Sequence, residues 1–330
     1  MTNRKKAKMT PKISIIILNW NNYEDTKECL ESLGKITYPN YEVIVVDNGS
    51  TDGSYERLKE EFFHHIFIRN EENFGFAKGN NMGIKYALKK KVNYILLLNN
   101  DTVVDKNFLE PLVKEAEKNE KIGIVGGKIY YYNTPKRIWY AGGKISLIKG
   151  GCVHYGAGDI DRGQYNEPKE VGFVSGCMML VKTEVFEKVG LLDERYFLGT
   201  EDYDFCLKVR RKGYKLFYVP NSIIFHKRGR SYEKFNPIHF YNGYLSKIIF
   251  MRQNFHPILW SSWYILFFLY GKIIKPWDLK QLAKRAGREI DVLGIKKAIN
   301  AALKDGRLKN EIVRNDLLQL EQIISGEYKK

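Results

Sequence analysis

The sequence lacks several patterns that define well-known protein classes. Its four cysteines contain no Cys-x-x-Cys pair, which argues against a zinc site. No Gly-x-Gly-x-x-Gly follows the first predicted strand and no Gly-x-x-x-x-Gly-Lys-Ser/Thr occurs, so the dinucleotide fingerprint and the P-loop are both missing. The basic amino terminus has no apolar segment typical of a signal peptide. We therefore expect a cytoplasmic protein whose cysteines stay reduced.

The composition is that of a basic, well-packed globular protein. The chain has 330 residues, 44% of them hydrophobic, and a net charge of +16. This length suits one large domain, or a domain with an extension, after a basic tail at residues 1–11. The charge predicts anionic partners: nucleic acid, anionic lipid or phosphorylated substrates. We find no nucleic-acid-binding module of clustered basic and stacking aromatic residues, and so expect no nucleic acid partner.

Apolar segments alternate with helical segments through the first third of the chain. The predicted strands lie at residues 13–20, 41–46, 66–69 and 94–98, and the helices at 25–33, 55–62 and 77–89. This order predicts βαβ units and a parallel sheet, whose right-handed crossovers bring the strand ends to one edge. Asn21, Asp47 and Asp101 follow three of these strands. We therefore expect their side chains to converge on one crevice.

Two of these side chains are carboxylates with both a functional and a structural interpretation. Asp101 ends the sequence Asn99-Asn100-Asp101 and could hold a hard cation that bridges a diphosphate. Asp47 could accept hydrogen bonds from a ribose hydroxyl or a base N–H. Asp and Asn are also common in turns, so a purely structural role as a turn cap stays open for both carboxylates.

A helix predicted from Thr200 to Lys212 begins with the acidic residues Glu201, Asp202 and Asp204. Thr200 is predicted to be its N-cap. Acidic side chains in a first turn also complement the helix dipole. Their presence alone therefore does not indicate a site.

Helix geometry separates two of these carboxylates. Asp202 lies on the stripe of Phe205 and Val209, which is predicted to face inward. Asp204 is spaced to pair with Lys208 and is predicted to face solvent. A carboxylate at the open end of a buried helix face is placed for chemistry, which favours Asp202.

His226 follows two short strands predicted at 215–219 and 223–225. A lone histidine after a strand is more often structural than a ligand. Here Arg228 and Arg230 follow within four residues, and arginines in such a cluster suit a diphosphate.

Seven motifs occur in an order typical of one enzyme family. They are Ile-Leu-Asn-Trp-Asn at 17–21, Val-Val-Asp-Asn-Gly-Ser-Thr-Asp at 45–52, Asn-Phe-Gly-Phe-Ala-Lys-Gly-Asn-Asn at 73–81, Leu-Leu-Asn-Asn-Asp at 97–101, Val-Ser-Gly-Cys-Met-Met-Leu at 174–180, Thr-Glu-Asp-Tyr-Asp at 200–204 and the segment 226–231. On these motifs, residues 12–235 resemble the family 2 glycosyltransferases, and within them the rhamnosyltransferase-like group. The resemblance implies an α/β protein of GT-A type: a Rossmann-like mixed sheet flanked by helices, with residues 236–330 as a helical C-terminal extension.

The resemblance also implies a reaction. It is the transfer of rhamnose or another hexose, with inversion, from a nucleoside-diphosphate-sugar donor. The acceptor is a hydroxyl of a glycan or lipid-linked glycan, in the synthesis of a polysaccharide or cell-surface glycan. A divalent metal, Mn²⁺ or Mg²⁺, is implied as the cofactor.

Residue roles follow from motif positions within this resemblance. Asp202 matches the catalytic base, Asp101 the metal-binding carboxylate and Asp47 the nucleoside contact, while His226 matches a position that often helps to hold metal or diphosphate. The other residues at matching donor-binding positions are Asn19, Asn21, Asn73, Lys78, Asn80, Asn99, Asn100, Glu201, Arg228 and Arg230. Asn99 stands where many family members carry the first aspartate of an Asp-x-Asp motif. This chain therefore has one carboxylate fewer for the metal.

Three other functions stay open at the level of sequence. A metal-dependent nucleotidyltransferase would need a glycine-rich phosphate loop near the amino terminus, and residues 13–22 contain none. A basic nucleic-acid-binding protein is suggested by charge alone, and salt-dependent oligonucleotide binding would identify it. An inactive relative is argued against by Asp101 and Asp202.

The run from Pro257 to Tyr270 carries no charge and is rich in aromatic residues. Its length is short for a membrane span and fits an interfacial or buried helix better. Tryptophan and tyrosine favour membrane interfaces. Three alternatives remain: contact with an anionic membrane surface, on the inner face of the cell membrane; packing on the catalytic domain or in a homodimer; and, least favoured, a true membrane span.

Overall fold

The computed structural model describes residues 10–227, 236–275, 277–279 and 291–325. The predicted donor-binding residues Arg228 and Arg230, most of the basic tail and the predicted domain boundary at residue 235 lie outside these ranges. Within them the strands are β1 (Ile13–Asn19), β2 (Tyr41–Asp47), β3 (Ile66–Arg69), β4 (Tyr94–Asn99), β5 (Thr102–Val104), β6 (Ile122–Tyr131), β7 (Thr134–Tyr140), β8 (Gly143–Ser146), β9 (Gly151–His154), β10 (Lys169–Val171), β11 (Met178–Lys182) and β12 (Lys215–His226).

The helices cover the sheet and form the carboxy-terminal part of the chain. They are α1 (Tyr23–Leu33), α2 (Ser54–Glu61), α3 (Gly75–Lys89), α4 (Leu109–Ala116), α5 (Thr183–Val189), α6 (Glu201–Arg211), α7 (Pro237–Asn254), α8 (Pro257–Leu269) with a π-helical turn at Tyr270–Ile274, α9 (Val292–Asp305) and α10 (Arg314–Ser325). The predicted mixed α/β sheet with flanking helices and C-terminal helices is confirmed.

The first four strands form the parallel half of the sheet. β1 pairs in parallel with β2 and with β4, which places Asn19 opposite Asp47 and Leu18 opposite Asn99. Helix α3 packs closely on β1. The space between them is so small that a Cβ at Gly79 would come within 2.7 Å of a Leu18 methyl carbon. The predicted meeting of these strand ends at one edge is confirmed.

The second half of the sheet is mixed. β11 runs antiparallel to β4 and separates it from β6, and β12 pairs in parallel with β6. The prediction of two short strands at 215–219 and 223–225 is wrong. They are one strand, β12, with a register shift between Val219 and Ile223. Pro220 has no backbone N–H, so the strand bulges there and then continues along β6.

The carboxy-terminal helices pack on one another and on the sheet domain. The buried side of α7, including Leu245 and Ile249, faces that of α9, including Ile295 and Ile299. The Tyr241 hydroxyl donates to Asp305 Oδ2 at 2.6 Å and fastens the two helices together.

The helical segment that begins at Pro257 is longer than the uncharged run in the sequence. The helical segment Pro257–Leu279 is long and apolar enough to cross a membrane by length and composition alone, and 22% of its most apolar window is buried. The uncharged run Pro257–Tyr270 is itself shorter than this helical segment, so whether the segment spans a membrane, lies at its surface or packs on protein stays a prediction. Contact with a membrane surface and a homodimer both stay predictions.

Candidate active site

A crevice of about 400 Å³ opens at the carboxyl edge of the parallel strands. Five predicted site residues line it: Asn73, Asn99, Asn100, Asp101 and His226. The described structure thus brings residues from β4, the start of α3 and the end of β12 to one place. This is the position where open α/β sheets bind ligands.

Asp101 and His226 face each other across the end of the sheet. Asp101 Oδ1 lies 3.0 Å from His226 Nε2, and the Lys227 backbone N–H donates to the Asp101 carbonyl at 2.9 Å. The pairing of β5 with β12 produces this contact by setting His226 opposite Thr102. The Asp101 side chain is 15% exposed and that of His226 is 7% exposed, so both reach the crevice from well-packed positions.

The ligand atoms that Asp101 and His226 offer can be compared with those that hold divalent cations in proteins. A carboxylate oxygen and an imidazole nitrogen are two suitable ligands, and in the described ranges no group of three or more His, Cys, Asp or Glu residues could hold a metal. His226 Nδ1 is buried without a hydrogen-bond partner among the described residues. Mg²⁺-type sites often use one or two protein ligands and complete the shell with substrate phosphates and water. The residues therefore fit a cation that is held jointly with a diphosphate.

Asp47 is buried in a hydrogen-bonded network beside the crevice. Its Oδ2 accepts from Asn19 Nδ2 at 3.0 Å, and its Oδ1 accepts from the Ser50 backbone N–H at 3.0 Å. Asn21 fastens the same loop, because its Oδ1 accepts from the Thr51 N–H at 2.8 Å. Asp47 therefore caps the turn that follows its strand, and its contact with a nucleoside stays a prediction.

A chain of side-chain hydrogen bonds connects this network to the Asp101 side of the crevice. Asn100 Nδ2 donates to the Thr26 hydroxyl at 2.8 Å, and that hydroxyl donates to Asn19 Oδ1 at 2.8 Å. Asn19 and Thr26 are fully buried. The ends of β1, β2 and β4 are thereby held as one unit.

The motif at the start of α3 contributes one predicted residue to the crevice and not the other two. Asn73 Oδ1 accepts from Asn48 Nδ2 and from the Gly75 N–H, both at 2.9 Å, and so fixes the start of the helix. Asn80 is buried and donates to the Phe76 carbonyl at 2.9 Å within its own helix, and its contact with the donor stays a prediction. Lys78 places its ammonium 3.8 Å from the centroid of the Phe74 ring, also away from the crevice lining.

Asp202 is half-buried in the first turn of α6. Its Oδ2 accepts from the Gly176 N–H at 3.0 Å and its Oδ1 accepts from the Tyr203 N–H at 2.8 Å. Phe205 and Val209 on its stripe are fully buried, so the predicted inward face is confirmed. Burial raises the pKa of Asp202 above the ordinary aspartate value.

Asp202 is not among the described residues that line the crevice, but the loop that contains Gly176 contacts both Asp202 and the crevice lining. A Cβ at Gly176 would lie 3.3 Å from the Asp202 Cβ and 3.5 Å from the Phe76 ring, which lines the crevice. The next residue, Cys177, accepts from the Asn99 N–H at 3.1 Å. Burial raises the pKa of the Cys177 thiol, and the charges of Asp101 and, less strongly, Asp202 raise it further. Both carboxylates are therefore close enough to this loop for their charges to act on Cys177.

Glu201 is the first residue of α6. Its side chain is buried and its Oε2 accepts from the Thr200 N–H at 2.9 Å. Burial, and then the charge of Asp202, raise its pKa. Thr200 holds the predicted N-cap position, but its hydroxyl bonds to the Gly199 carbonyl and the Tyr203 hydroxyl instead of a helical N–H. The carboxylates of Glu201 and Asp202 accept hydrogen bonds from backbone N–H groups at this helix start, where the Thr200 hydroxyl accepts none.

Asp204 is not on the solvent side, so that prediction is wrong. It is fully buried, although the predicted pairing with Lys208 is present at 2.6 Å. Its Oδ1 also accepts from Asn254 Nδ2 at 2.8 Å and from the Tyr196 hydroxyl at 3.4 Å. Asn254 ends α7, and that helix covers the face of α6 which the local pattern leaves open.

We expect Asp204→Asn to lower the free energy of unfolding by about 1–3 kcal/mol, the range for losing hydrogen bonds to a buried charge. Lys208 keeps Asp193 as a partner at 2.7 Å, which limits the loss. Urea unfolding measures the change, and Glu187→Gln, at an exposed position on α5, is the matched control. An Asp204→Asn protein as stable as the control would contradict the structural role.

Aromatic residues in the crevice were missed at the level of sequence. Trp20, which is 48% exposed, Phe76, Trp139 and Phe197 all line it. Trp139 meets His226 edge-on, with ring centroids 4.7 Å apart. Trp20 lies inside the first motif and could have been singled out. Trp139 reaches the crevice only through the pairing of β7 with β6, which no local signal indicates.

Solved structures with this fold define the class of the protein. The chain superimposes on a crystal structure of GalNAc-T7 with UDP, GalNAc and Mn²⁺ with a TM-score of 0.63 and 18% identity, covering 96% of this chain and 58% of that chain. It also matches the mannosyltransferase PcManGT from Pyrobaculum calidifontis, in complex with GDP-Man and Mn²⁺, with a TM-score of 0.55, 15% identity and coverage of 91% and 88%. The fold is therefore the GT-A glycosyltransferase fold.

Sequence comparison places the chain within that class. Residues 14–190, more than half of the chain, match the sequence model of Glycosyl transferase family 2, so the protein belongs to that family. The narrower rhamnosyltransferase-like group stays a prediction.

Curated relatives share about two thirds of this chain. The chain is 30% identical to the uncharacterized protein y4gI of Sinorhizobium fredii, over 67% of this chain and 25% of that protein. It is 29% identical to the poly-beta-1,6-N-acetyl-D-glucosamine synthase of Staphylococcus epidermidis, over 64% and 48%. It is 26% identical to the low-salt glycan biosynthesis hexosyltransferase Agl10 of Haloferax volcanii, over 64% and 66%. The match thus spans from a quarter to about two thirds of these relatives' lengths.

Proposed function

We propose that this family 2 glycosyltransferase moves a hexosyl residue from a nucleoside-diphosphate sugar to a hydroxyl of a glycan or lipid-linked glycan, with inversion. The observation that carries the proposal is the pairing of Asp101 with His226 in the crevice, together with an Asp202 carboxylate held by the N–H of Gly176, whose loop contacts the crevice lining. The named relatives include a polysaccharide synthase and a hexosyltransferase, which supports a role in polysaccharide or cell-surface glycan synthesis.

The acceptor side of the reaction is assigned to Asp202. A sugar hydroxyl is a poor nucleophile at neutral pH, so a base within hydrogen-bond reach must take its proton as the new bond forms. Two backbone N–H groups, from Gly176 and Tyr203, hold the Asp202 carboxylate in one orientation. Its raised pKa makes it a stronger base than an ordinary aspartate while leaving it ionised near neutral pH.

The donor side is assigned to Asp101 and His226. As the acceptor oxygen bonds to the anomeric carbon, the bond from that carbon to the diphosphate breaks and the diphosphate leaves with the electron pair. Asp101 and His226 would hold the divalent cation, which stabilises the negative charge on the departing diphosphate. A base and a leaving group on opposite faces of the sugar give inversion.

The solved neighbours support this choice of ligands. Both contain Mn²⁺, one with UDP and the other with GDP-mannose. For this chain we propose deoxythymidine-diphosphate-rhamnose first and uridine-diphosphate-hexoses next, the former from the motif resemblance alone. With Asn99 in the place of an aspartate, Asp101 supplies the only carboxylate among the described residues that line the crevice.

A thermal-shift screen of nucleotide sugars with Mn²⁺ or Mg²⁺ tests the function. We expect one donor to raise the melting temperature, since a ligand at 100 times its Kd adds about 2.7 kcal/mol to stability. The same donor in excess chelator is the control, and its effect should become weaker. If no nucleotide sugar or nucleoside diphosphate stabilises the protein, the proposed function is wrong.

A further inference from the structure

A second cavity, of about 680 Å³, lies between the β8–β9 hairpin and helices α7 and α8. Its wall is mainly apolar and includes Leu147, Ile148, Met251, Leu259, Trp263 and Leu266. We name this cavity the hairpin groove. Trp263 Nε1 donates to the Ile148 carbonyl at 3.1 Å, and a Cβ at Gly150 would collide with the Trp263 ring, so the hairpin is seated firmly on α8.

One cationic side chain in the hairpin groove has no counter-charge. Lys247, on α7, lines the groove, and within the described residues its ammonium makes no ion pair or hydrogen bond. Burial lowers its pKa, the charge of Cys152 opposes this, and the charges of Lys275 and Lys149 lower the pKa further. Lys149 is the other cation that lines the groove, at an exposed position. The ammonium of Lys247 is the unfavourable one without an anion, because a buried unpaired charge loses its hydration without compensation.

The hairpin connects the groove to the base side of the active site. A Cβ at Gly151 would lie 3.5 Å from Lys247 Cε and 3.5 Å from the hydroxyl of Tyr203, the residue after Asp202. Burial raises the pKa of the next residue, Cys152, the charge of Asp202 raises it further, and the charge of Lys247 lowers it. An anion beside Lys247 would therefore lie near the helix turn that carries Asp202, in a cavity that shares no lining residue with the crevice of Asp101 and His226.

We propose that the hairpin groove binds the lipid part of the acceptor: a long apolar chain carrying a phosphate, with the chain along the apolar wall and the phosphate at Lys247 and Lys149. This inference rests on the proposed function and names the acceptor class. A neutral apolar chain would leave Lys247 without a counter-charge. A soluble sugar phosphate would leave the apolar wall facing water. A phosphorylated amphiphile satisfies both surfaces and leaves its sugar directed toward Asp202.

Binding of farnesyl phosphate to the full-length protein tests the proposal. Isothermal titration calorimetry measures the binding of farnesyl phosphate, farnesol and inorganic phosphate below micelle-forming concentrations. We expect farnesyl phosphate to bind at least about tenfold more tightly than farnesol, the effect of one charge-assisted hydrogen bond. Lys247→Gln should remove this preference, and Lys297→Gln, at an exposed position on α9, should leave it unchanged.

A second pair of variants separates binding in the groove from folding. Ser262 lines the groove and is exposed, whereas its exposed neighbour Ser261 does not line it. Ser262→Trp should fill the cavity and abolish farnesyl phosphate binding, and Ser261→Trp should keep it. Both variants should keep the thermal shift given by the nucleotide sugar, so the outcome for the groove is independent of the outcome for the proposed function.

Three results would overturn the proposal. One is equal affinity for farnesol and farnesyl phosphate, or an unchanged preference in Lys247→Gln. Another is a dimer in sedimentation that Ser262→Trp dissociates, which would assign the groove to a second copy of the chain. The third is flotation on anionic vesicles that Ser262→Trp abolishes while farnesyl phosphate does not bind, which would assign it to the membrane surface.

Discussion

Asp202→Asn is expected to lower sugar transfer by about 10²–10⁴-fold while leaving donor affinity nearly unchanged, because this is the usual loss when a general base is removed. Asparagine keeps the size and polarity of the side chain and can still accept from the Gly176 and Tyr203 N–H groups. It cannot take a proton at neutral pH. Donor affinity should hold because Asp101 and His226, to which the donor side is assigned, line the crevice, and Asp202 is not among its described lining residues.

Single-turnover transfer and donor binding by thermal shift measure the two effects separately. Asp204→Asn is the informative comparison, since it makes the same chemical change two residues away at a buried structural position. It should lose stability and keep its rate of transfer when assayed below its melting temperature. Near-normal transfer by Asp202→Asn, or complete loss in Asp204→Asn alone, would show that the base has been assigned to the wrong carboxylate.

The same assignment determines how transfer depends on pH. Asp202 must be ionised to act, and burial raises its pKa. Transfer should therefore fall as the pH is lowered through this raised pKa, at a higher pH than for an ordinary aspartate, and should be fully present above it. Glu201, next to it, also has a raised pKa, so the acid limb reports the pair of carboxyl groups. The limb should be absent from the residual activity of Asp202→Asn.

Asp101→Asn should lower metal-dependent transfer by about 10²–10³-fold, the range for removing one preorganised electrostatic stabiliser. The substitution leaves His226 as the remaining ligand of the pair and replaces a charged oxygen by a neutral one. Mn²⁺ affinity, measured by calorimetry with a nucleoside diphosphate present, should fall together with the rate. Excess chelator should remove the activity of the unmodified protein.

Asn99→Asp is the matched variant for this prediction. Asn99 also lines the crevice, two residues before Asp101, and stands where many family members have an aspartate. A second carboxylate there should strengthen Mn²⁺ binding, since more carboxylate ligands favour a hard cation. Full activity of the unmodified protein in excess chelator, or equal Mn²⁺ affinity in all three proteins, would remove the metal from the proposal.

The sequence by itself determined the parallel half of the fold and the edge at which its strands end. The apolar runs of β1, β2 and β4 and the helical periods between them are local patterns, and crossovers of one hand bring their ends together. These patterns alone therefore suffice to place Asn21, Asp47 and Asp101 in one region. The sequence also predicted that Asp202 lies on the inward face of its helix, because helix geometry alone decides which residues share one face.

Only the tertiary structure decided which groups complete the site. His226 meets Asp101 because β12 pairs with β5, and this register joins residues more than 120 positions apart in the chain. Asp204 is buried because α7 brings Asn254 to it, against the expectation from its spacing to Lys208. The hairpin groove likewise exists only where β8–β9 rests on α8. Non-local hydrogen bonds and packing set these contacts, and a periodic pattern in one segment carries no information about the partner that will cover it.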